Sequence, residues 1–218
     1  MSPRSFLLDD TAVAYVAAHS EPFDPILVGL TERTAALGPL AGMQIGPDQA
    51  AFLTMLTRFA GVTRAVEVGT FTGTSSLCIA RGMAADGHLL CCDVNDDWTA
   101  LARAAWAEAG VADRVELRIA PAIETLRGLA SDPVIDLAFI DADKPGYLSY
   151  YEELVPRLRP GGWIIADNTL WSGKVLDPSV ADDDTQALRA YNDRAASDDR
   201  VTTVLLAVAD GLTVSQKR

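Results

Sequence analysis

Two residue types that build compact metal and redox sites are scarce in this sequence. It contains three cysteines and two histidines among 218 residues. Cys78 stands alone, and Cys91 and Cys92 are neighbours, so no Cys-x-x-Cys spacing occurs. Adjacent residues on a strand point to opposite faces, so Cys91 and Cys92 cannot hold one metal ion together. The pattern favours three small buried hydrophobic side chains in a reducing compartment.

Basic residues and long apolar runs are also in short supply. Lys and Arg number 18 against 30 Asp and Glu, which gives a formal net charge of −12 and a pI near 4.5. Such a surface repels phosphate backbones and anionic lipids, which disfavours nucleic-acid or membrane binding and favours a small-molecule substrate. No apolar run approaches membrane-spanning length, and residues 1–10 lack a basic leader followed by an apolar core. We expect a cytoplasmic protein.

The order of helical and β-rich segments predicts an α/β fold. Helix candidates are 11–19, 25–36, 74–83, 97–109, 123–129 and 147–158, with one more that begins at residue 46. Strand candidates, which are apolar and β-rich, are 65–68, 88–93, 114–119, 135–140, 163–166 and 201–207. The alternation after residue 63 indicates parallel βαβ units in a doubly wound, Rossmann-like sheet with the N-terminal helices packed on it.

The C-terminal segment departs from this alternation. A helix near 184–196 is followed by two β-rich runs on either side of "ADG", residues 209–211. This pattern is typical of a hairpin, which adds an antiparallel edge pair to a mostly parallel sheet of seven strands. Local signals also predict Asp96 as a helix N-cap and residues 159–162 as the start of the fifth strand. With no linker or repeat, 1–218 is expected to form one domain.

A glycine-containing turn follows the first predicted strand in "AVEVGTFTGTSS", residues 65–76. Gly69 and Gly73 permit a tight turn and the close approach of a ligand at a helix N-terminus, although such turns also occur as packing devices. The spacing differs from the Gly-x-Gly-x-x-Gly pattern that binds a dinucleotide pyrophosphate. Glu67 lies inside the apolar strand, either at a half-exposed position or as an anchor for a cationic or hydroxyl-rich ligand.

Asp93 ends the second predicted strand, twenty residues after Gly73. An acid at this position binds ribose hydroxyls in many nucleotide-binding α/β folds, and Asp also caps helices. Glu67, Asp93 and the glycine turn together favour a nucleoside ligand without a diphosphate. S-adenosylmethionine is such a ligand, and its sulfonium and ammonium groups are compatible with an acidic pocket.

Polar side chains follow two further predicted strands, in "FIDADKPGY" (139–147) and "IIADNTLW" (164–171). Asp141 and Asp143 close the fourth strand, and Asp167 and Asn168 close the fifth. If the two strands are neighbours, these oxygens meet at one sheet edge and require a hard divalent cation such as Mg²⁺, Ca²⁺ or Mn²⁺. The alternative is that they are loop-capping acids. Lys144 is either a general base, a salt-bridge partner of a nearby acid or a solvated surface charge.

Seven blocks in order carry a resemblance to a known family. They are "MQIGPDQAAFL", "AVEVGTFTGTSS", "CCDVNDDW", "AEAGVADRVELRIAPAIETL", "DLAFIDADKPGY", "LRPGGWIIADNTLWSGKV" and "ADGLTVSQKR". From about residue 43 onward the chain closely resembles the bacterial branch of the cation-dependent O-methyltransferases, the caffeoyl-CoA and catechol O-methyltransferase group. The resemblance implies a helical region at 1–60 for substrate choice or oligomerisation, an α/β core at 61–218, and a homodimer.

The resemblance also implies a role for individual residues. Contacts with S-adenosylmethionine are expected from Glu67, Gly69, Thr70, Ser75, Asp93, Ala122 and Asp143, with Met43 near its methionine end. Asp141, Asp167 and Asn168 are expected to bind Mg²⁺ or a similar ion. Lys144 matches the residue assigned as the base and acts with Asp141 in catalysis, while Trp171 matches an aromatic residue at the substrate entrance. Thr74 departs from the family, which often has tyrosine there.

These expectations combine into a predicted function. The chain should transfer a methyl group from S-adenosylmethionine to a catechol-like substrate with two adjacent hydroxyl groups, with the help of a divalent cation. One alternative is methylation of a hydroxylated tRNA uridine, which the net charge disfavours. A second is a non-catalytic S-adenosylmethionine-binding protein, which would be expected to lack Lys144 or a metal ligand. An NAD-dependent dehydrogenase is disfavoured by the glycine spacing.

Overall fold

A computed structural model of the protein describes residues 6–218. Residues 1–5, the start of the segment expected to lack a leader, lie outside the described part. Within it are seven strands: β1 (Arg64–Val68), β2 (His88–Asp93), β3 (Val115–Ile119), β4 (Ile135–Ile140), β5 (Leu158–Ala166), β6 (Val201–Leu206) and β7 (Leu212–Lys217). The α-helices there are α1 (Asp10–Ala18), α2 (Pro25–Ala35), α3 (Pro47–Phe59), α4 (Thr74–Gly82), α5 (Asp96–Glu108), α6 (Ala122–Arg127), α7 (Tyr147–Leu154) and α8 (Asp183–Ser197).

The strands form one sheet in the order β3-β2-β1-β4-β5-β7-β6. β1 to β5 are parallel, and β7 runs antiparallel to both of its neighbours, β5 and β6. The predicted fold class, with its antiparallel C-terminal hairpin, is confirmed. The chain leaves β1 toward β2 on one side and returns to β4 on the other, so β1 and β4 flank the switch point. Ligands of open parallel sheets bind at the carboxyl ends of the strands there.

Two apolar layers cover the two faces of the sheet. One contains α3, α4 and α5 packed on β-strand residues such as Leu89 and Cys91, and the other contains α6, α7 and α8 packed on residues such as Leu90 and Cys92. Alternation along β2 thus separates the adjacent cysteines, as the sequence predicted. All three cysteines are free and buried.

Three predicted boundaries were wrong for local reasons. The helix predicted at 147–158 ends at Leu154, because Pro156 lacks the N–H that an α-helix requires, and residues Val155–Arg157 form a 3₁₀ turn instead. β5 begins at Leu158, five residues before the strand candidate 163–166 and next to the start predicted at 159–162, and its register against β4 shifts there. The N-cap of α5 is Asn95 rather than Asp96, because the Asn95 side chain accepts the Trp98 N–H at 3.0 Å.

A buried carboxylate ties the amino ends of the central strands together. Asp136 Oδ2 accepts hydrogen bonds from the backbone N–H of Thr63 (2.7 Å) and Arg64 (2.8 Å) and from the Thr63 hydroxyl (2.8 Å). Its other oxygen accepts one from Arg159 Nε. Burial alone would raise the pKa of Asp136, but the Arg159 guanidinium and the N–H donors hold it below its usual value. This network lies at the amino ends of the strands, at the opposite end of the sheet from the carboxyl ends.

No helix within residues 6–218 combines the length and the apolar character needed to cross a bilayer.

Candidate active site

A cavity of about 870 Å³ opens at the carboxyl ends of the strands around the switch point. Predicted site residues that line it are Met43, Gly69, Thr70, Ser75, Asp93, Ala122, Asp141, Asp143, Lys144, Asn168 and Trp171. The remaining two predicted residues, Glu67 and Asp167, are fully buried at the ends of their strands. The fold therefore gathers residues from five predicted strand ends and from the N-terminal region around one space.

The glycine turn packs directly against the end of β4. Gly69 has φ +90°, and a Cβ at this position would lie 1.9 Å from the backbone oxygen of Asp141. Gly73 has φ +95° at the start of α4, and a Cβ there would lie 2.5 Å from Cβ of Ala102. No side chain fits at either position. The two glycines thus bring the β1 loop beside the acidic end of β4 and bring α4 against α5.

Asp93 organises this loop through backbone donors. Its Oδ2 accepts the N–H of Thr70 at 3.0 Å and of Phe71 at 2.7 Å, and its Oδ1 accepts the N–H of Asn95 at 2.8 Å. The helix-cap alternative for Asp93 was wrong, since Asn95 caps α5. The carboxylate lines the cavity in an orientation fixed by three backbone donors.

Glu67 is a buried acid in β1 with unused hydrogen-bonding capacity. Its side chain is fully enclosed, and neither carboxylate oxygen has a hydrogen-bond partner of ordinary geometry within residues 6–218. Burial raises the pKa of Glu67 to about 7, and the nearby hydroxyls of Ser75 and Thr70 offset part of that effect. The half-exposed alternative was therefore wrong. An unpartnered buried carboxylate is costly, which makes Glu67 a candidate for contact with a bound ligand.

The N-terminal region is joined to the glycine turn by polar side chains. Gln44 Nε2 donates to the hydroxyl of Thr74 at 2.6 Å and to that of Thr31 at 3.2 Å. The Thr34 hydroxyl donates to the Thr72 hydroxyl at 2.9 Å. Thr74, which departs from the resembled family, is thus satisfied within the chain by Gln44. These bonds hold the segment around residue 43 over the cavity.

Lys144 lies at the centre of the acidic edge, the group of polar side chains at the carboxyl ends of β4 and β5. Its Nζ donates to Asn168 Oδ1 at 2.8 Å and to Asp141 Oδ1 at 3.3 Å. It also donates to the Tyr147 hydroxyl at 2.6 Å, so its three N–H groups have three acceptors. The Lys144 side chain is only 7% exposed, so the alternative of a solvated surface charge was wrong and the pair with Asp141 is present. Its Nζ also lies 5.4 Å from the ring centre of Trp171.

Asp167 is held by two donors at the end of β5. Gln49 Nε2 donates to its Oδ2 at 2.7 Å, and the backbone N–H of Asn168 donates to its Oδ1 at 2.6 Å. Burial raises the pKa of Asp167 to about 7, and the negative charge of Asp141 adds to this effect. The two carboxylates therefore lie close enough to repel each other, as the sequence predicted for neighbouring strand ends.

The donor set at this edge fits a hard divalent cation. Asp141, Asp167 and Asn168 offer carboxylate and amide oxygens, which such cations prefer, and a cation would relieve the repulsion between the acids. Within the described residues, no group of three or more His, Cys, Asp or Glu side chains is arranged to hold a metal ion. The predicted set contains two acids and one amide.

The structure adds polar residues that the sequence argument did not single out. Tyr147 donates its hydroxyl to the Asp167 backbone oxygen at 3.0 Å, and Tyr150 donates to Asp143 Oδ1 at 2.6 Å. Asp210 lines the cavity and accepts the Ser172 N–H at 2.6 Å. Tyr147 follows Lys144 by three positions and Tyr150 follows Asp143 by seven, and both helical spacings were available signals. No sequence signal pointed to Gln49, because it is 118 positions away from Asp167.

Comparison with known proteins identifies the family of the chain. A family model described as O-methyltransferase matches residues 17–218. The chain belongs to the O-methyltransferase family. The predicted enzyme class, an S-adenosylmethionine-dependent O-methyltransferase, is confirmed.

Similar proteins come from plants and bacteria. Caffeoyl-CoA O-methyltransferase 2 of Zea mays is 34% identical over 230 residues, which cover 98% of this chain and 85% of that protein. Tricin synthase 1 of Oryza sativa subsp. japonica is 38% identical over 188 residues, covering 80% and 75%. The crystal structure of the O-methyltransferase from Bacillus cereus in complex with SAH is 29% identical, with a TM-score of 0.87 and coverage of 95% and 97%.

Proposed function

We propose that this O-methyltransferase uses S-adenosylmethionine and a divalent cation to methylate a small aromatic substrate with two adjacent hydroxyl groups. The observation that carries the proposal is the cluster of Asp141, Asn168 and buried Lys144. Lys144 Nζ lies within 3.3 Å of Oδ1 of Asp141 and of Oδ1 of Asn168. The cluster opens into the cavity beside the glycine turn. A methyl donor and an oxygen acceptor could therefore meet in one enclosed space.

The donor side of the cavity suits a cationic nucleoside. The glycine turn gives access to the backbone, and we assign the oriented Asp93 carboxylate to the ribose hydroxyls. Buried Glu67, with two unpaired oxygens, provides a negative potential beneath the turn in its ionised form. Met43, Ala122 and further lining residues enclose the same space. We assign this half of the cavity to S-adenosylmethionine, whose ammonium and sulfonium charges complement the acids.

The acceptor side is the edge formed by the ends of β4 and β5. Asp141, Asp167 and Asn168 would hold the divalent cation. When bound, that cation would supply Lewis-acid stabilisation of an ionised hydroxyl group and bind two adjacent substrate oxygens. Trp171 would border the aromatic ring, with its indole already beside Lys144. Adjacent hydroxyl groups are thus the feature that we expect this edge to select.

The reaction is an in-line displacement at carbon. The substrate oxygen forms a bond to the methyl carbon as the carbon–sulfur bond breaks, and its electron pair stays on sulfur as a neutral thioether. The proton of the hydroxyl group goes to Lys144, which enters this step as the neutral amine. Asp141, Asn168 and the Tyr147 hydroxyl then stabilise the ammonium, as they do in the structure. Positioning of the two reactants can supply about 7–11 kcal/mol of the acceleration.

The proposal is tested by methyl transfer to paired acceptors. Catechol and phenol differ by one hydroxyl group, and each should be assayed with labelled S-adenosylmethionine, with added Mg²⁺ and with EDTA. We expect methylation of catechol alone, abolished by EDTA and restored by Mg²⁺. The variant Asp167→Asn should lose this activity, whereas Asp193→Asn, the same change at an exposed position of α8, should keep it.

Three results would count against the proposal. Equal rates with catechol and phenol would remove the requirement for adjacent oxygens. Full activity in EDTA would remove the cation. Transfer to bulk tRNA in place of catechol would move the function to nucleic acid, against the net charge of −12.

A further inference from the structure

Gln49 connects the helical N-terminal region to the acidic edge. It lies in the first turn of α3, and its side chain is completely buried. Its Nε2 donates to Asp167 Oδ2 at 2.7 Å. Its own Oε1 has no hydrogen-bond partner in the described part of the chain. A buried amide that leaves one of its polar atoms unpaired is unfavourable for stability, so the contact with Asp167 has a use beyond packing.

The hydrogen bonds around Asp167 fix its orientation. The Asn168 N–H engages Oδ1, while Gln49 engages Oδ2, so each oxygen is held by one donor and keeps a free lone pair. The Asn168 donor belongs to the same loop and moves with it. Gln49 comes from another element and therefore sets the plane of the carboxylate relative to the rest of the site. A glutamine, unlike a lysine, does this without adding a charge that would compete with a cation.

We propose that Gln49 is a positioning residue that holds the Asp167 carboxylate in the orientation that binds a divalent cation. This inference rests on the proposed cation site of Asp141, Asp167 and Asn168. Gln49 touches neither substrate nor donor in this assignment; it acts through Asp167. The α3 helix thus supports the cation site through the contact of Gln49 with Asp167, and it supplies no ligand to the cation itself.

The test is cation affinity measured without turnover. Mn²⁺ binding is followed by electron paramagnetic resonance and by calorimetry, with neither donor nor acceptor present. Gln49→Met keeps the length of the side chain and removes the donor, and we expect it to weaken Mn²⁺ binding about 10–100-fold. The affinity for SAH should stay that of the native enzyme, because Gln49 does not face the donor half.

A control on the same helix separates positioning from general destabilisation. Thr57 is also fully buried in α3, and its hydroxyl donates to the Leu53 backbone oxygen at 2.7 Å. Thr57→Val should lower the melting temperature without changing Mn²⁺ affinity. If Gln49→Met and Thr57→Val leave Mn²⁺ affinity equally unaffected, Gln49 is only structural and the inference is overturned.

The native enzyme provides an independent measurement in case Gln49→Met does not fold. Addition of Mg²⁺ should shift the side-chain amide resonance of Gln49 in a spectrum of protein labelled with ¹⁵N-glutamine. An unmoved resonance in a protein that does bind Mg²⁺ would overturn the inference. If the native protein binds neither Mn²⁺ nor Mg²⁺, the proposed cation site itself fails. If the native protein binds Mn²⁺ and Gln49→Met binds it equally well, only the role of Gln49 fails.

Discussion

Replacing Glu67 by glutamine should make the ligand-free enzyme more stable at high pH while it weakens cofactor binding. The carboxylate is fully buried and unpaired in residues 6–218, and burial raises its pKa from the ordinary 4.5 to about 7. A folded state that holds a proton more tightly than the unfolded chain has its full stability below pH 4.5 and loses stability as the pH rises toward 7. The loss is complete above pH 7 and amounts to about 3 kcal/mol.

Glu67→Gln has no proton to lose, so its stability should lack this pH dependence. Between about pH 5 and about pH 8 the native protein should lose about 2.5 kcal/mol relative to Glu67→Gln. For a chain of this size that corresponds to roughly 5–10 °C in melting temperature. The quantity to compare is the change in stability between the two pH values, because the desolvation cost of the glutamine amide is the same at both and cancels.

The assay is thermal unfolding of both proteins in EDTA without S-adenosylmethionine, across that pH range. Glu124→Gln, the same change at an exposed position of α6, is the control and should follow the native curve. Parallel curves for native protein and Glu67→Gln would refute the raised pKa. Calorimetry should also show weaker S-adenosylmethionine binding by Glu67→Gln, because the negative potential beneath the turn is lost.

Three further changes have distinct expected results. Lys144→Met should lower kcat by about 10²–10⁴-fold, because the proton acceptor is lost, with SAH affinity by calorimetry as the control. Gln44→Ala should raise the KM for S-adenosylmethionine roughly 5-fold through loss of the bond to Thr74, and an unchanged KM would contradict this role. Asp136→Ala should destabilise the fold by about 3 kcal/mol in urea unfolding, because the donors of Thr63, Arg64 and Arg159 lose their acceptor. The same variant should leave the affinity for SAH unchanged.

The fold was predictable because its signals are local and repeated. Most of the parallel strands are largely apolar, such as Ile135–Ile140, all six residues of which are buried, and helices alternate with them along the chain. Parallel strands that are neighbours place their carboxyl ends together, so the meeting of Asp141 with Asp167 followed from strand order alone. The homodimer and the role of residues 1–60 in substrate choice stay predictions.

The parts that escaped prediction depend on contacts between distant or competing residues. Gln49 reaches Asp167 from an element that carries no sequence signal for this contact. Asn95 and Asp96 are both good caps, and only the backbone path decides in favour of Asn95. The start of β5 depends on its register against β4, because the irregular pairing there tolerates Pro160, which has no N–H for the ladder.

The burial of all three cysteines has a practical consequence for chemical labelling. Burial raises the pKa of the Cys78 thiol to about 11 and that of Cys92 to about 12, and Cys91 is shifted upward as well. Thiolate is the form that reacts with maleimides, so the native thiols should be nearly silent toward them at neutral pH. A single cysteine placed on the surface would then accept a fluorophore selectively, with no native cysteine replaced.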